Sequence, residues 1–165
     1  MKIDAQLGAL YPHLAADMAK RMEAMGFDAV WSFEAGHDPF LPLVAAAMST
    51  ERLQIGTNIA VAFGRSPFAT AQAAWDLQQA SGGRFHLGLG TQVRAHIERR
   101  YDMPFEHPAA RLTDYIRCLR AIFDNFQNGT KPEYQGPFYR FILTNPAFIP
   151  GPIAHPHIPI YVAGV

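Results

Sequence analysis

The sequence has one cysteine in 165 residues, Cys118, so no internal disulfide can form. That fits a reducing, cytoplasmic setting. Cys118 falls inside a helical pattern, where a buried, inert thiol is the expected reading. Neither sign of charge prevails: 14 Lys and Arg balance 14 Asp and Glu, with no basic block or stripe. No nucleic-acid partner is therefore expected. No apolar run reaches the roughly 20 residues of a membrane-spanning helix, so no membrane partner is expected. The opening MKIDAQLG lacks the apolar stretch and cleavage site of a secretory leader. Without one, the acceptor-like Asn128-Gly-Thr carries no weight. No Ser/His/Asp arrangement and no phosphate loop is visible. The histidines of HPH at 155–157 lack a third ligand and a helical spacing, so no metal is expected.

What the chain does have is apolar content, 49% of residues against 17% charged, enough for a large core. Its length fits one domain. Strands and helices alternate along it. KIDAQLG reads as a first strand. Ala15, Met18, Met22 and Met25 then recur at three- and four-residue steps, and Gly26 stops that helix. FDAVWSF is a second strand. DPFLPLVAAAMS is a second helix, so poor in polar residues that it should be buried on more than one side. RLQIGTNIAVAF is a third strand. Ser66-Pro67 form the N-cap and first turn of a third helix, which runs to Gly82-Gly83. RFHLGLG is a fourth strand. A fourth helix opens near Pro108, carries Leu112, Ile116, Leu119, Phe123 and Phe126 on one stripe, and closes at Gly129. Arg111, Asp114, Arg117 and Asp124 read as its solvated face.

The four strands begin roughly 25–30 residues apart, the spacing of repeated βα units. They are near-continuous apolar runs, which points to a parallel sheet covered on both faces. The stretch from Thr130 to Pro159 breaks the rhythm, with an irregular excursion at 130–158 rich in proline and aromatics. Excursions of that length are usually functional. Within it, YQGPFYRF has the look of a small hairpin. IPIYVAGV then reads as a fifth strand. On periodicity alone, a small open sheet and a partial barrel both remain allowed.

Three blocks, at 25–93, 108–123 and 151–165, resemble the luciferase-like oxidoreductases, and within them the F420-dependent branch. The order matches as well: a third strand, an RSP helix start, SGGRFHLGLG, a long helix, an excursion and PIYVAGV. The resemblance implies an α/β fold, a partial (β/α)8 TIM barrel. Residues 1–165 would supply strands 1–5 and helices 1–4 as the N-terminal portion of one barrel domain, without its C-terminal half.

In a barrel, active-site residues sit at the C-terminal ends of strands. Those ends fall at Gly8, at Phe33 to His37, at Thr57 to Ile59, at Gly90 to Arg94 and at Ala163 to Val165. Gly88 and Gly90, read alone, allow either a tight turn or a backbone lying against a ligand. Val93 replaces the third glycine of a dinucleotide fingerprint, so no such claim follows.

The resemblance favours the ligand for these glycines. It places the cofactor against Thr57, Asn58, Ile59, Gly88, Gly90, Thr91, Gln92, Arg94 and Gly164. It also implies a cis peptide at Asn58-Ile59, bulging toward one face of the ring. His37 and Glu34 are the acid–base candidates, although the family's histidine directly after the acidic residue is here Ala35. Glu34 is read equally as a brace to Arg94, and Asp38 as a helix cap. The expected function is hydride transfer between coenzyme F420 and a small organic substrate. The alternatives are an FMN-dependent monooxygenase of the same fold and a non-catalytic half-barrel that self-associates. A homodimer is the expected assembly.

Overall fold

A computed structural model of the chain describes residues 1–8 and 10–164. In chain order the elements are β1 (Asp4–Gln6), α1 (Pro12–Ala24), β2 (Ala29–Ser32), α2 (Leu41–Ser49), β3 (Gln54–Thr57), β4 (Ala60–Val61), α3 (Pro67–Ala80), β5 (Phe85–Gly90), α4 (Arg94–Arg100), α5 (Pro108–Asn128), β6 (Tyr134–Gln135), β7 (Arg140–Phe141) and β8 (Ile160–Val162). Two compact units emerge. The first holds Met1–Ala60, Asp76–Gly90 and the segment from His157 on; the second holds Val61–Trp75 and Thr91–Pro156.

The first unit is a parallel sheet with neighbours β1-β2-β3-β5-β8. Parallel pairing follows from the helical crossovers between successive strands. The register sets Ala5 beside Val30, Val30 beside Ile55, and Ile55 beside Phe85. Val30, Ile55, Phe85, Leu87 and Leu89 are fully buried. Because strand side chains alternate, the opposite face carries Trp31, Gln54, His86 and Tyr161. That face is not the apolar run expected of it. Trp31 Nε1 donates to an Asp4 oxygen at 3.0 Å, and His86 Nε2 lies 3.0 Å from Gln54 Oε1.

The helix ends answer to their sequence signals. Gly26 follows α1 at φ +87°, and Gly129 closes α5 in the left-handed region. The Ser66 hydroxyl accepts from the Ala69 amide, and Asp38 Oδ1 accepts from the Phe40 amide at 2.8 Å. Arg84, just before β5, spends its guanidinium on backbone and hydroxyl oxygens. It donates to Ala47, Thr50, Leu53 and Ser81 carbonyls and to Thr50 Oγ1, binding the end of α2 to the starts of β3 and β5. Glu23, in the last turn of α1, accepts from the amides of Glu51, Arg52 and Leu53.

Three expectations need correction. The third strand is broken: β3 ends at Thr57 and the chain turns at Asn58 before β4. A short helix, α4, follows β5, one helix more than the strand–helix alternation gave. Most clearly, Arg111 and Asp114 are not on a solvated face; they are 7% and 2% exposed. Both serve the second unit. The Arg111 guanidinium lies 4.4 Å from the centre of the Phe63 ring and donates to the Tyr139 hydroxyl and the Pro104 carbonyl. Asp114 accepts from the Tyr134 hydroxyl at 2.5 Å and from the Phe138 and Tyr139 amides at 2.9 and 2.8 Å. The partners of Asp114, and Tyr139 of Arg111, come from the excursion, while Phe63 and Pro104 lie elsewhere in the chain; helical periodicity within α5 cannot reveal either. The excursion does contain the expected hairpin, β6 against β7. Cys118 is buried in this unit, and burial pushes its thiol up to about 11.

Candidate functional site

The candidate site of the first unit is built where β3 stops. Thr57 Oγ1 donates to the Gly88 carbonyl at 2.7 Å, and the Gly88 amide donates back to the same oxygen at 2.9 Å. This reciprocal pair locks the end of β3 onto β5. The peptide bond between Asn58 and Ile59 is cis, as the resemblance implied. The Asn58 amide donates to the Ser32 carbonyl, and the Ile59 carbonyl accepts from the Glu34 amide. The ends of β2 and β3 are thereby tied together at the position of Glu34.

Glycine at 88 has a reason inside the protein. A Cβ there would lie 1.9 Å from the Thr57 carbonyl oxygen, well inside any tolerable contact. At Gly90 a Cβ would meet the Ile59 side chain at 2.9 Å. Both glycines admit the β3 end.

A cleft of about 370 Å³ opens at this place, within the range of small-molecule sites. It is lined by Thr57, Asn58, Ile59 and Gly88, together with Asp4, Trp31, Tyr161, Val162 and Ala163. The expected cofactor residues Thr57, Asn58, Ile59 and Gly88 therefore meet in one cavity. Gly164 adjoins its Ala163 wall; Val165 lies outside the described residues. Sequence reasoning missed Trp31 and Tyr161. The signal was strand alternation, which puts both on the same face as Gly88.

His37 and Glu34 stand on the loop after β2. The His37 ring packs on Tyr11, with centroids 4.3 Å apart, and Tyr11 also meets His13. Thr91, Gln92 and Arg94 belong to the second unit. Gln92 adopts φ +61°, its side-chain oxygen accepts from the Val93 amide, and Thr91 Oγ1 donates to the Gln92 carbonyl. The Arg94 guanidinium pairs with Glu98 at 2.7 Å, one turn along α4. Among the described residues no group of three or more His, Cys, Asp or Glu is placed to hold a metal ion.

A second cleft, of about 390 Å³, runs toward the N-terminal ends of the strands and includes Lys2, Glu23, Arg52, Gln54 and His86. Burial and the charge of Lys2 depress the His86 pKa against a weaker opposing pull from Asp4. In barrels that end serves stability, and active sites lie at the other.

The luciferase-like monooxygenase family model matches residues 3–165. The chain belongs to that family. An uncharacterized protein of Mycobacterium tuberculosis, Rv1360, is 50% identical over 151 residues, covering 92% of this chain and 44% of the relative. A putative coenzyme F420-dependent oxidoreductase of the same organism, Rv3520c, is 37% identical over 148 residues, covering 87% of this chain and 42% of that protein. The chain thus spans less than half the length of these luciferase-like relatives. Among solved structures, the monooxygenase RslO1 from Streptomyces bottropensis superposes with a TM-score of 0.80 at 21% identity, over 98% of this chain and 53% of that one. At that identity the likeness concerns the fold: α/β, with strands and helices in the order of the first half of a (β/α)8 barrel. No helix among the described residues is long and apolar enough to cross a membrane.

Proposed function

We propose that this chain is the cofactor-binding portion of an F420-dependent oxidoreductase. Such an enzyme moves a hydride between the deazaflavin and a small organic substrate. The observation that carries the reading is the cleft at the end of β3. Its walls suit a flat, largely apolar ring: Ile59 on one strand end, Trp31 and Tyr161 as aromatic surface, and no side chain at Gly88. Asn58, exposed at its rim, offers an amide donor and acceptor to ring heteroatoms. The F420 named for Rv3520c supports the choice of cofactor. When bound, F420 supplies the hydride chemistry.

The chain's own residues do the rest. Thr57 and Gly88 hold the β3 end rigid under the ring. Glu34, fixed by its backbone bond to Ile59, and His37, seated on Tyr11, stand at the end of β2 to hold or deliver the substrate proton.

The test uses the full-length polypeptide that carries this chain. Equilibrium dialysis against F420 and against FMN should show binding of F420 and not of FMN. Preference for FMN would replace the reading with a flavin monooxygenase. Retention of neither would favour a non-catalytic chain. His37→Asn should lower kcat about 100-fold with F420 binding unchanged; unchanged turnover removes His37 from the chemistry.

A further inference from the structure

The cleft at the end of β3 and the second cleft beneath it share three residues: Asp4, Trp31 and Tyr161. Residues common to two cavities form the partition between them, and here the partition has a definite level along the strands. On β3 the lower cleft meets Gln54 and the upper one Thr57, with Gly56 between them. On β5 the lower cleft meets His86 and the upper one Gly88. Trp31 is the register partner of Gly56, and Gly56 that of His86. One cleft therefore gives way to the other at the level of Gly56, and Trp31 is the large side chain at that level.

Gly56 makes the seat for the indole. A Cβ there would lie 2.4 Å from Trp31 Cζ3 and 2.7 Å from Cε3. The missing side chain lets the six-membered ring of the indole lie across β3. Three contacts hold it. Its Nε1 donates to the Asp4 carboxylate at 3.0 Å. Its rings meet His86 and Tyr161 edge-on, with centroids 5.9 and 6.0 Å apart. With its one polar atom bonded to Asp4, the indole offers a ligand only apolar ring surface.

The two sides of the partition differ in chemistry. The upper cleft takes side walls from Ile59, Val162 and Ala163. The lower one carries Lys2, Glu23, Asp28 and Arg52. A flat, largely apolar ring pushed past the partition would strip water from those charges and return no hydrogen bonds.

We propose that Trp31 is the floor of the cofactor cleft and a specificity-determining residue for it. The indole stops a planar ring at the level of Gly56 and keeps it off the charged cleft beneath. The proposal rests on the upper cleft holding the ring of F420 or FMN.

Equilibrium dialysis of the full-length polypeptide against F420 and against FMN tests it, with circular dichroism to check the fold. Trp31→Ala joins the two clefts. It should raise the Kd of whichever cofactor the wild type retains at least about tenfold. Trp31→Phe keeps an aromatic floor and should stay within about threefold. Emission from the bound cofactor reads the contact itself. An indole against an excited flavin-type ring quenches it, and a phenyl ring does not, so the bound cofactor should brighten in Trp31→Phe. Tyr161 is the same in both proteins, so the gain reports Trp31. Equal emission in wild type and Trp31→Phe would overturn the floor, whether or not Trp31→Ala folds. So would wild-type affinity in a folded Trp31→Ala, which leaves the cofactor reading standing. Retention of neither cofactor by the wild type would overturn both together.

Discussion

Gly88 shows how a single residue is decided by its neighbours. Read alone its glycine allows a tight turn or a ligand contact, and the family resemblance favours the ligand, yet the Thr57 carbonyl already occupies the space of its Cβ. Gly88→Ala must push β3 off β5, which should cost about 1–3 kcal/mol, as expected for overpacking; a urea titration would show the midpoint fall. Arg84 makes the complementary case. Its five hydrogen bonds to four separate residues require the planar fork of a guanidinium. Arg84→Lys keeps the charge but loses that geometry, and should cost about 2–3 kcal/mol by the same titration. Stability equal to wild type would mean the bonds contribute little. The GGRF motif signals a turn and a strand; only the folded chain shows that its arginine closes the end of α2.

Among elements, the hairpin of β6 and β7 depends on one carboxylate of α5. Asp114 receives the Tyr134 hydroxyl and two amides, and a Cβ at Gly136 would lie 1.9 Å from its Oδ1. Burial first, then the bond to Asp114 and its charge, push the Tyr134 pKa up to about 12. The sign of the linkage follows. A phenol whose folded pKa is raised contributes stability fully present below its unfolded value, near 10, and lost as pH rises through about 12. Proteolytic nicking of the 134–141 segment should therefore increase between pH 10 and 12. Tyr134→Phe should cost about 1 kcal/mol at neutral pH and abolish that component of the alkaline loss. An unchanged alkaline profile in Tyr134→Phe would assign the loss elsewhere. Glu23 works in the opposite direction. Burial raises its pKa, but the backbone bonds to Arg52, Leu53 and Glu51 outweigh that and leave it lowered. Its contribution is present above the ordinary carboxylate pKa and lost as pH falls through the depressed one. Thermal melts should therefore show Glu23→Gln less stable near neutrality, with the difference closing in acid.

For the whole molecule, the alternation of strands and helices was legible because βα units repeat with a fixed spacing and apolar period. The helix stops at Gly26 and Gly129 and the caps at Ser66 and Asp38 were legible for the same local reasons. Of the candidate site, Thr57, Asn58, Ile59 and Gly88 came together as expected, because strand ends in a parallel sheet converge on one edge. Trp31 and Tyr161 were not named, since their membership depends on which face of the sheet remains polar. The burial of α2 was half legible: its lack of charge called for cover on several sides, but only the folded chain shows which side is left bare.

Composition, periodicity and capping signals act within a few residues of themselves, so the sequence by itself determined the main strands and helices, their order and roughly where the strands end. Contacts between residues far apart in the chain carry no local period. The burial of Arg111 and Asp114, the fit of Gly88 against Thr57, the fivefold bonding of Arg84 and the exposed face of α2 were therefore decided only when the sheet and helices packed.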